Sequence, residues 1–161
     1  MAERPALMMS RAGLSAIDIR LAGPSDAAIM AVLHDACFAR SWDAGAMAQF
    51  LGAPGYISLL ASAAEGEPAR GLLIARGASD EAELLTLAVH PIYRNLGLAR
   101  ALLGAAITVL RASGAKQLFL EVGEENAPAR GLYESLGAVV VGRRPGYYEH
   151  GADAAIFSLA L

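Results

Sequence analysis

The hydrophobic pattern of this 161-residue chain changes period repeatedly, and each change predicts a new element. Alternating apolar and polar residues over 17–21 indicate a half-buried strand. Apolar residues then recur at helical spacing over 26–38, with Ser25 or Asp26 expected as the N-cap. Along the whole chain, such patterns predict strands at 17–21, 56–62, 70–76, 83–89, 117–122, 138–141 and 154–161. Four helices are predicted at 26–38, 41–51, 98–113 and 126–136.

The connections between these elements predict a single mixed sheet of the α/β (α+β) class. Strands 56–62, 70–76 and 83–89 follow one another through short loops, which favours an antiparallel meander. The strand, helix and strand between 83 and 122 should place their two strands parallel. We therefore expect a mostly antiparallel seven-stranded sheet with about four helices. Residues 1–15 are expected to be a flexible N-terminal tail, and 16–161 a single domain, since the length suits one ordinary core.

Composition and charge disfavour several functional classes. With 55% hydrophobic residues the chain can bury a substantial core, and its net charge of −3 disfavours direct nucleic-acid binding. No apolar run reaches the length of a membrane span, and Cys37 is the only cysteine, so no internal disulfide can form. We expect a cytoplasmic protein that is monomeric or weakly dimeric. His34, His90 and His150 lack the spacing of metal ligands, and no metal site is expected.

The stretch after the strand at 83–89 is a candidate for ligand binding. Pro91 ends that strand because it has no N–H to donate to a ladder. The following loop, Arg94–Arg100, places backbone N–H groups and arginine charge at the positive end of a helix, and Gly97 permits close backbone approach. The loop therefore predicts an anion site suited to a pyrophosphate. The alternative is an ordinary strand-to-helix turn with solvated arginines. The sequence contains neither a P-loop nor a dinucleotide-binding fingerprint, so those two kinds of phosphate site are not supported.

Two motifs carry a resemblance to a known family. The first reads VHPIYRNLGLARALL from Val89 to Leu103, and the second reads NAPARGLYESLG from Asn126 to Gly137. In this order and spacing they resemble the acetyl-CoA-binding motif and the second signature of the GCN5-related N-acetyltransferases (GNAT). The resemblance implies the GNAT fold with a splayed central strand pair, and an acetyltransferase that uses acetyl-CoA as co-substrate without a metal. It implies cofactor contacts by Leu87, Ala88, Val89, Arg94, Asn95, Leu96, Gly97, Leu98, Ala99, Arg100 and Asn126.

A narrower similarity extends toward the end of the chain. The LFLEV segment at 118–122, the LYESLG segment at 132–137 and the RRPGYY segment at 143–148 are similar to those of bacterial ribosomal-protein-alanine N-acetyltransferases. Members of that family acetylate the α-amino group of an N-terminal alanine on a small-subunit ribosomal protein. The resemblance implies that Glu121 is the proton acceptor and Tyr133 the proton donor of a direct transfer. Without the resemblance, Glu121 would pass for a solvated acid and Tyr133 for a core residue.

The acceptor side is expected to be lined by Trp42, Tyr147 and Tyr148, with plain packing as the alternative for each. The expected acceptor is a peptide N-terminus, and the first alternative is a small-molecule amine. A non-catalytic acyl-CoA-binding sensor is a further alternative, although such a module would need neither Glu121 nor Tyr133. A β-bulge near Leu87–Val89 is expected to open the central strand pair, so that a backbone N–H there can stabilise the oxyanion.

Overall fold

The computed structural model describes residues 16–146 and 153–161. Within these ranges the strands are β1 (Asp18–Leu21), β2 (Tyr56–Ser62), β3 (Ala69–Ala78), β4 (Glu81–Val89), β5 (Gln117–Gly123), β6 (Val139–Arg144) and β7 (Ala154–Ala160). The helices are α1 (Ala27–Asp35), α2 (Ala44–Phe50), α3 (Leu98–Ala112) and α4 (Ala127–Ser135). The predicted order of seven strands and four helices is confirmed. None of the helices in the described ranges is long and apolar enough to cross a membrane.

The strands form one sheet in the order β1-β2-β3-β4-β5-β7-β6. β2 pairs antiparallel with β1 and β3, and β7 pairs antiparallel with β5 and β6. β4 and β5 are parallel, as expected for strands that are joined through a helix. Their register covers only Glu81–Glu83 with Gln117–Phe119, which is the short pairing that a splayed strand pair needs. The mixed, mostly antiparallel sheet is confirmed.

Two compact units can be recognised along the chain. The first comprises the described residues up to Arg76 together with Leu85–Val109, and the second comprises Gly77–Leu84 with the described residues from Leu110 onward. In the second unit, alternate residues of β5 are buried because they share one face of the strand. The expectation of a single domain over 16–161 stays a prediction. The core of the first unit is formed by Met30, Leu33, Met47, Leu51, Leu60, Leu72, Ile74 and Ala88.

The first helix is shorter than predicted, and its start is built differently. A 3-10 turn, Pro24–Asp26, precedes α1, which ends at Asp35. Asp26 occupies the N-cap position, but its side chain does not cap the helix. The buried carboxylate instead accepts from both terminal nitrogens of Arg20, at 2.8 and 2.9 Å, and from the Gly23 N–H at 2.8 Å. Asp26 is thus the N-cap residue, as predicted, but its carboxylate oxygens are engaged by the ion pair with Arg20 of β1 and not by the helix.

Other differences concern the ends of elements. α2 begins at Ala44 and not at the predicted 41, because Asp43 is its N-cap and accepts the Ala46 N–H at 2.8 Å. β3 extends to Ala78 and β4 begins at Glu81, so a tight turn replaces the longer predicted loop. β6 extends to Arg144, whereas the sequence pattern predicts a loop from Arg143 onward. A register shift between Val140 and Gly142 interrupts the alternation that would have marked the full length of this strand.

Candidate functional site

The loop between β4 and α3 is a tight turn that leads directly into the start of a helix. A 3-10 turn, Pro91–Tyr93, follows β4, and His90 caps it by accepting the Ile92 N–H at Nδ1. Asn95 and Gly97 then adopt the left-handed conformation, with φ of 64° and 83°. These two residues, with the extended Arg94 before them, make a tight turn, and backbone N–H groups in turns can form a concave site for an anion. Asparagine and glycine tolerate this conformation best, so the local sequence determines the shape of the loop.

Helix α3 adds its positive end to this loop. The Ala101 N–H donates to the Gly97 carbonyl at 3.0 Å and starts the helical ladder. The N–H groups ahead of Ala101 therefore have no carbonyl partner within the helix, and the helix dipole favours negative charge beside them. A Cβ built on Gly97 would meet no atom within 4 Å, so the space beside the loop is open. Open space, N–H donors and positive potential together fit a pyrophosphate group.

The end of β4 is fixed through its last carbonyl. Ala88 and Val89 are buried, and the Val89 carbonyl accepts from Arg94 Nε at 3.1 Å and from Cys37 Sγ at 3.3 Å. Arg94 is thus tied to the backbone of β4 and is not simply a solvated arginine. The bulge expected near Leu87–Val89 stays a prediction, because the register of β4 with β5 ends before it.

Glu121 lies on β5 in the second unit, and its carboxylate is held by an ion pair. Arg144 Nε, at the end of β6, lies 3.2 Å from Glu121 Oε1, and the Glu121 side chain is 26% exposed. β7 runs between the two strands, with Ile156 opposite Glu121 and Ala154 opposite Arg144. Glu121 is therefore a half-buried, paired acid, and the interpretation as a fully solvated acid does not hold.

Helix α4 carries the other two predicted residues of the second unit. Asn126 is its N-cap, and the side-chain oxygen accepts the Ala129 N–H at 3.3 Å. Tyr133 is only 6% exposed, and its ring packs against Phe157 of β7 with 6.1 Å between centroids. The cap and the ring contact fix both side chains, so this unit holds Glu121, Asn126 and Tyr133 in set orientations.

An ion network that the sequence did not reveal surrounds the loop after β5. Arg143 donates to the Asp153 carboxylate at 2.6 Å and pairs with Glu124. Asp153 also accepts the Gly146 N–H at 2.9 Å. The hydrogen bond and charge of Glu124, together with the charge of Asp153, raise the pKa of Arg143. The sequence shows two adjacent arginines, Arg143 and Arg144, and two glutamates three positions apart, Glu121 and Glu124. Only the pairing of β5 and β6 with β7 brings the two pairs together.

Trp42, in the first unit, is half-buried in an aromatic cluster. Its ring stacks on His34 with centroids 4.9 Å apart and planes at 15°, and lies 5.2 Å from the Phe50 ring. Packing accounts for this position, and a role of Trp42 on the acceptor side stays a prediction. Tyr147 and Tyr148, which were predicted for the same side, lie outside the described residues.

Two features of the described residues bear on other kinds of site. A groove of about 710 Å³ runs along α1 in the first unit, with Ile29, Val32 and Pro68 in its wall. None of the predicted site residues lines this groove. Within 16–146 and 153–161, no three side chains of the types that ligate metals are grouped closely enough to hold an ion.

Comparison with known proteins identifies the family. The sequence profile of the Acetyltransferase (GNAT) family matches residues 28–138, which is more than half of the chain. The chain belongs to this family. The matched region contains both sequence motifs, the loop between β4 and α3, and the two residues Glu121 and Tyr133.

Sequence relatives carry a more specific name. Over 85 residues the chain is 44% identical to the [ribosomal protein bS18]-alanine N-acetyltransferase of Escherichia coli K12, covering 51% of this chain and 57% of that protein. The protein of the same name from Haemophilus influenzae is 41% identical over 78 residues, covering 48% and 53%. The chain thus spans a little over half the length of the curated relatives it matches.

Solved structures extend the likeness along most of the chain. The ribosomal-protein-S18-alanine N-acetyltransferase from Escherichia coli superposes with a TM-score of 0.82 and 32% identity, covering 89% of this chain and 93% of that chain. Arabidopsis thaliana NAA60 in complex with acetyl-CoA superposes with a TM-score of 0.79 at 21% identity, covering 90% and 98%. The second likeness concerns the fold alone, and the predicted GNAT architecture is confirmed by the family profile and the first structure.

Proposed function

We propose that this GNAT-family protein is an acetyl-CoA-dependent N-acetyltransferase. Its proposed acceptor is the α-amine of an N-terminal alanine on a small-subunit ribosomal protein. The observation that carries the proposal is the likeness to the Escherichia coli ribosomal-protein-S18-alanine enzyme over 93% of that chain at 32% identity. The proposed compartment is the cytoplasm, which suits a chain whose single cysteine, Cys37, is free.

The proposed donor is acetyl-CoA, which would supply the acetyl group as an activated thioester. The N–H groups of Asn95–Arg100 would donate to its pyrophosphate oxygens, and the charges of Arg94 and Arg100 would add to the positive potential there. A backbone N–H near Val89 would stabilise negative charge on the carbonyl oxygen during transfer. The full set of proposed contacts is Leu87, Ala88, Val89, Arg94, Asn95, Leu96, Gly97, Leu98, Ala99, Arg100 and Asn126.

The acceptor amine must lose a proton before it attacks a thioester, since an α-amino group with a pKa of about 7.7–8.0 is mostly protonated at pH 7. Glu121 would accept that proton, directly or through water. The ion pair with Arg144 supports this role by holding the carboxylate in one place. Tyr133 would donate its hydroxyl proton to the departing thiolate, and the contact with Phe157 keeps the ring in position.

The test is acetyl transfer from labelled acetyl-CoA to short peptides. We expect label on the α-amine of a peptide that begins with alanine, and none on the same peptide with its N-terminus already acetylated. Transfer to free small amines without transfer to any peptide would contradict the proposed acceptor. Binding of acetyl-CoA without transfer to peptides or amines would contradict the proposed catalysis and would indicate a sensor.

A further inference from the structure

His34, in the last turn of α1, is buried with both ring nitrogens engaged. Nδ1 accepts the backbone N–H of Trp42 at 3.0 Å, and Nε2 lies 3.3 Å from the Thr86 hydroxyl. Only 3% of the residue is exposed. A ring nitrogen that accepts from an amide carries no proton, so Nε2 carries the hydrogen and donates to Thr86 Oγ1. The fold therefore selects one neutral tautomer of His34.

The two partners of His34 belong to different parts of the proposed machinery. Trp42 is the proposed aromatic residue of the acceptor side. Thr86 lies on β4 directly before Leu87–Val89, the proposed donor edge. Cys37 makes a second link to the same strand, because its thiol donates to the Val89 carbonyl at 3.3 Å. His34 thus bonds Trp42 through Nδ1 and β4 through Nε2, and Cys37 makes the second bond to β4.

We propose that His34 is a positioning residue that holds Trp42 in register with the end of β4, and that it does so only as the neutral imidazole. The roles assigned to Trp42 and β4 rest on the proposed function, whereas the link itself rests on the hydrogen bonds of His34. A protonated imidazole has a donor at both nitrogens, so Nδ1–H would face the Trp42 N–H. That bond must break, and Trp42 would lose its backbone anchor.

The surroundings of His34 favour the neutral form on balance. Burial lowers the pKa of His34, and the adjacent Asp35 carboxylate acts in the opposite direction. Asp35 itself accepts from the Ser41 hydroxyl at 2.7 Å. The Phe38 and Trp42 rings flank the imidazole. The polar groups that bond the ring are the Thr86 hydroxyl and the Trp42 N–H. From α2, the apolar Phe50 packs against the Trp42 ring.

The direction of the pH dependence follows from this balance. Because the pKa of His34 in the folded chain is below the ordinary value of about 6.5, the unfolded chain binds more protons between the two values. The contribution of His34 to stability is therefore fully present above the ordinary pKa and is lost as the pH falls through the folded value. The environment of Trp42 should change in the same window.

Trp42 is the only tryptophan of the chain, so its fluorescence reports on this one site. The experiment is a fluorescence titration from about pH 7.5 to about pH 5, the range in which histidine titrates, with far-UV circular dichroism at each pH to verify the fold. We expect one step with a midpoint below the ordinary histidine pKa in the wild type. We expect no step in His34→Gln, because the glutamine amide offers an acceptor and a donor but does not titrate in this range.

His90→Gln is the matched control. His90 accepts the Ile92 N–H in the turn after β4, and its replacement should leave the Trp42 step unchanged. A step that persists in His34→Gln would overturn the proposal. A wild-type signal that stays constant while circular dichroism reports a native fold would overturn it as well.

Steady-state kinetics test the positioning role separately. His34→Phe keeps an aromatic ring but loses both hydrogen bonds, and we expect the KM for an alanine peptide to rise about fivefold with an unchanged KM for acetyl-CoA. His34→Gln should restore the peptide KM, whereas equal changes in both constants would contradict a positioning role. The fluorescence step needs no acetyl transfer, so a clear step in a protein that transfers nothing would count against the proposed function and in favour of the His34 link.

Discussion

The proposed donor loop and the proposed catalytic residues are built in different ways. In the loop, the proposed binding groups are backbone N–H groups, and Asn95 and Gly97 have left-handed conformations there. In the second unit, the proposed reactive groups are the side chains of Glu121 and Tyr133, which contact Arg144 and Phe157 respectively. The loop should therefore tolerate changes of side chain better than changes of backbone conformation. For the catalytic residues the opposite should hold.

Glu121→Gln should have the largest effect, because it removes the proposed proton acceptor while keeping the size of the side chain. We expect kcat to fall by about 10²–10⁴-fold, the usual contribution of a general base, with the Kd for acetyl-CoA nearly unchanged. Steady-state kinetics and calorimetric titration measure the two quantities. Glu125→Gln is the matched control, since Glu125 is an exposed acid in the loop after β5. Equal activity of both variants at every pH that the enzyme tolerates would remove Glu121 from its role.

Tyr133→Phe should have the next largest effect, with kcat lowered by about 10²-fold. Phenylalanine keeps the ring contact with Phe157, so the loss should come from the hydroxyl. The defect should shrink with an acyl donor whose thiol is more acidic, because a better leaving group needs the proton less. Tyr56→Phe is the matched control, as the Tyr56 ring packs on Phe50 in the first unit. A defect of the same size with both donors would argue against Tyr133 as the proton donor.

The same two regions show how far sequence alone can lead. Local pattern was enough for the bounds of α3, because Gly97, Leu98 and the apolar stripe that follows determine where the helix starts. It was not enough for the ion pair of Glu121 with Arg144, because that contact depends on both β5 and β6 pairing with β7. The His34–Thr86 contact spans 52 positions and was equally invisible. No local pattern states which strands are neighbours, so contacts between distant elements emerge only with the sheet order.

Gly97→Ala tests the region that is built from backbone and should have the smallest effect. Alanine at a φ of 83° costs about 1–2 kcal/mol, so the variant either loses stability or relaxes and turns the N–H groups away from the anion. We expect a free energy of unfolding lower by about 1 kcal/mol and a Kd for acetyl-CoA raised by about tenfold. Gly104→Ala is the matched control, because Gly104 lies inside α3 with open space around it. It should stabilise the helix by up to about 1 kcal/mol and leave the Kd unchanged. If both variants bound acetyl-CoA equally well, these N–H groups would not hold the anion, and the stretch would be an ordinary strand-to-helix turn.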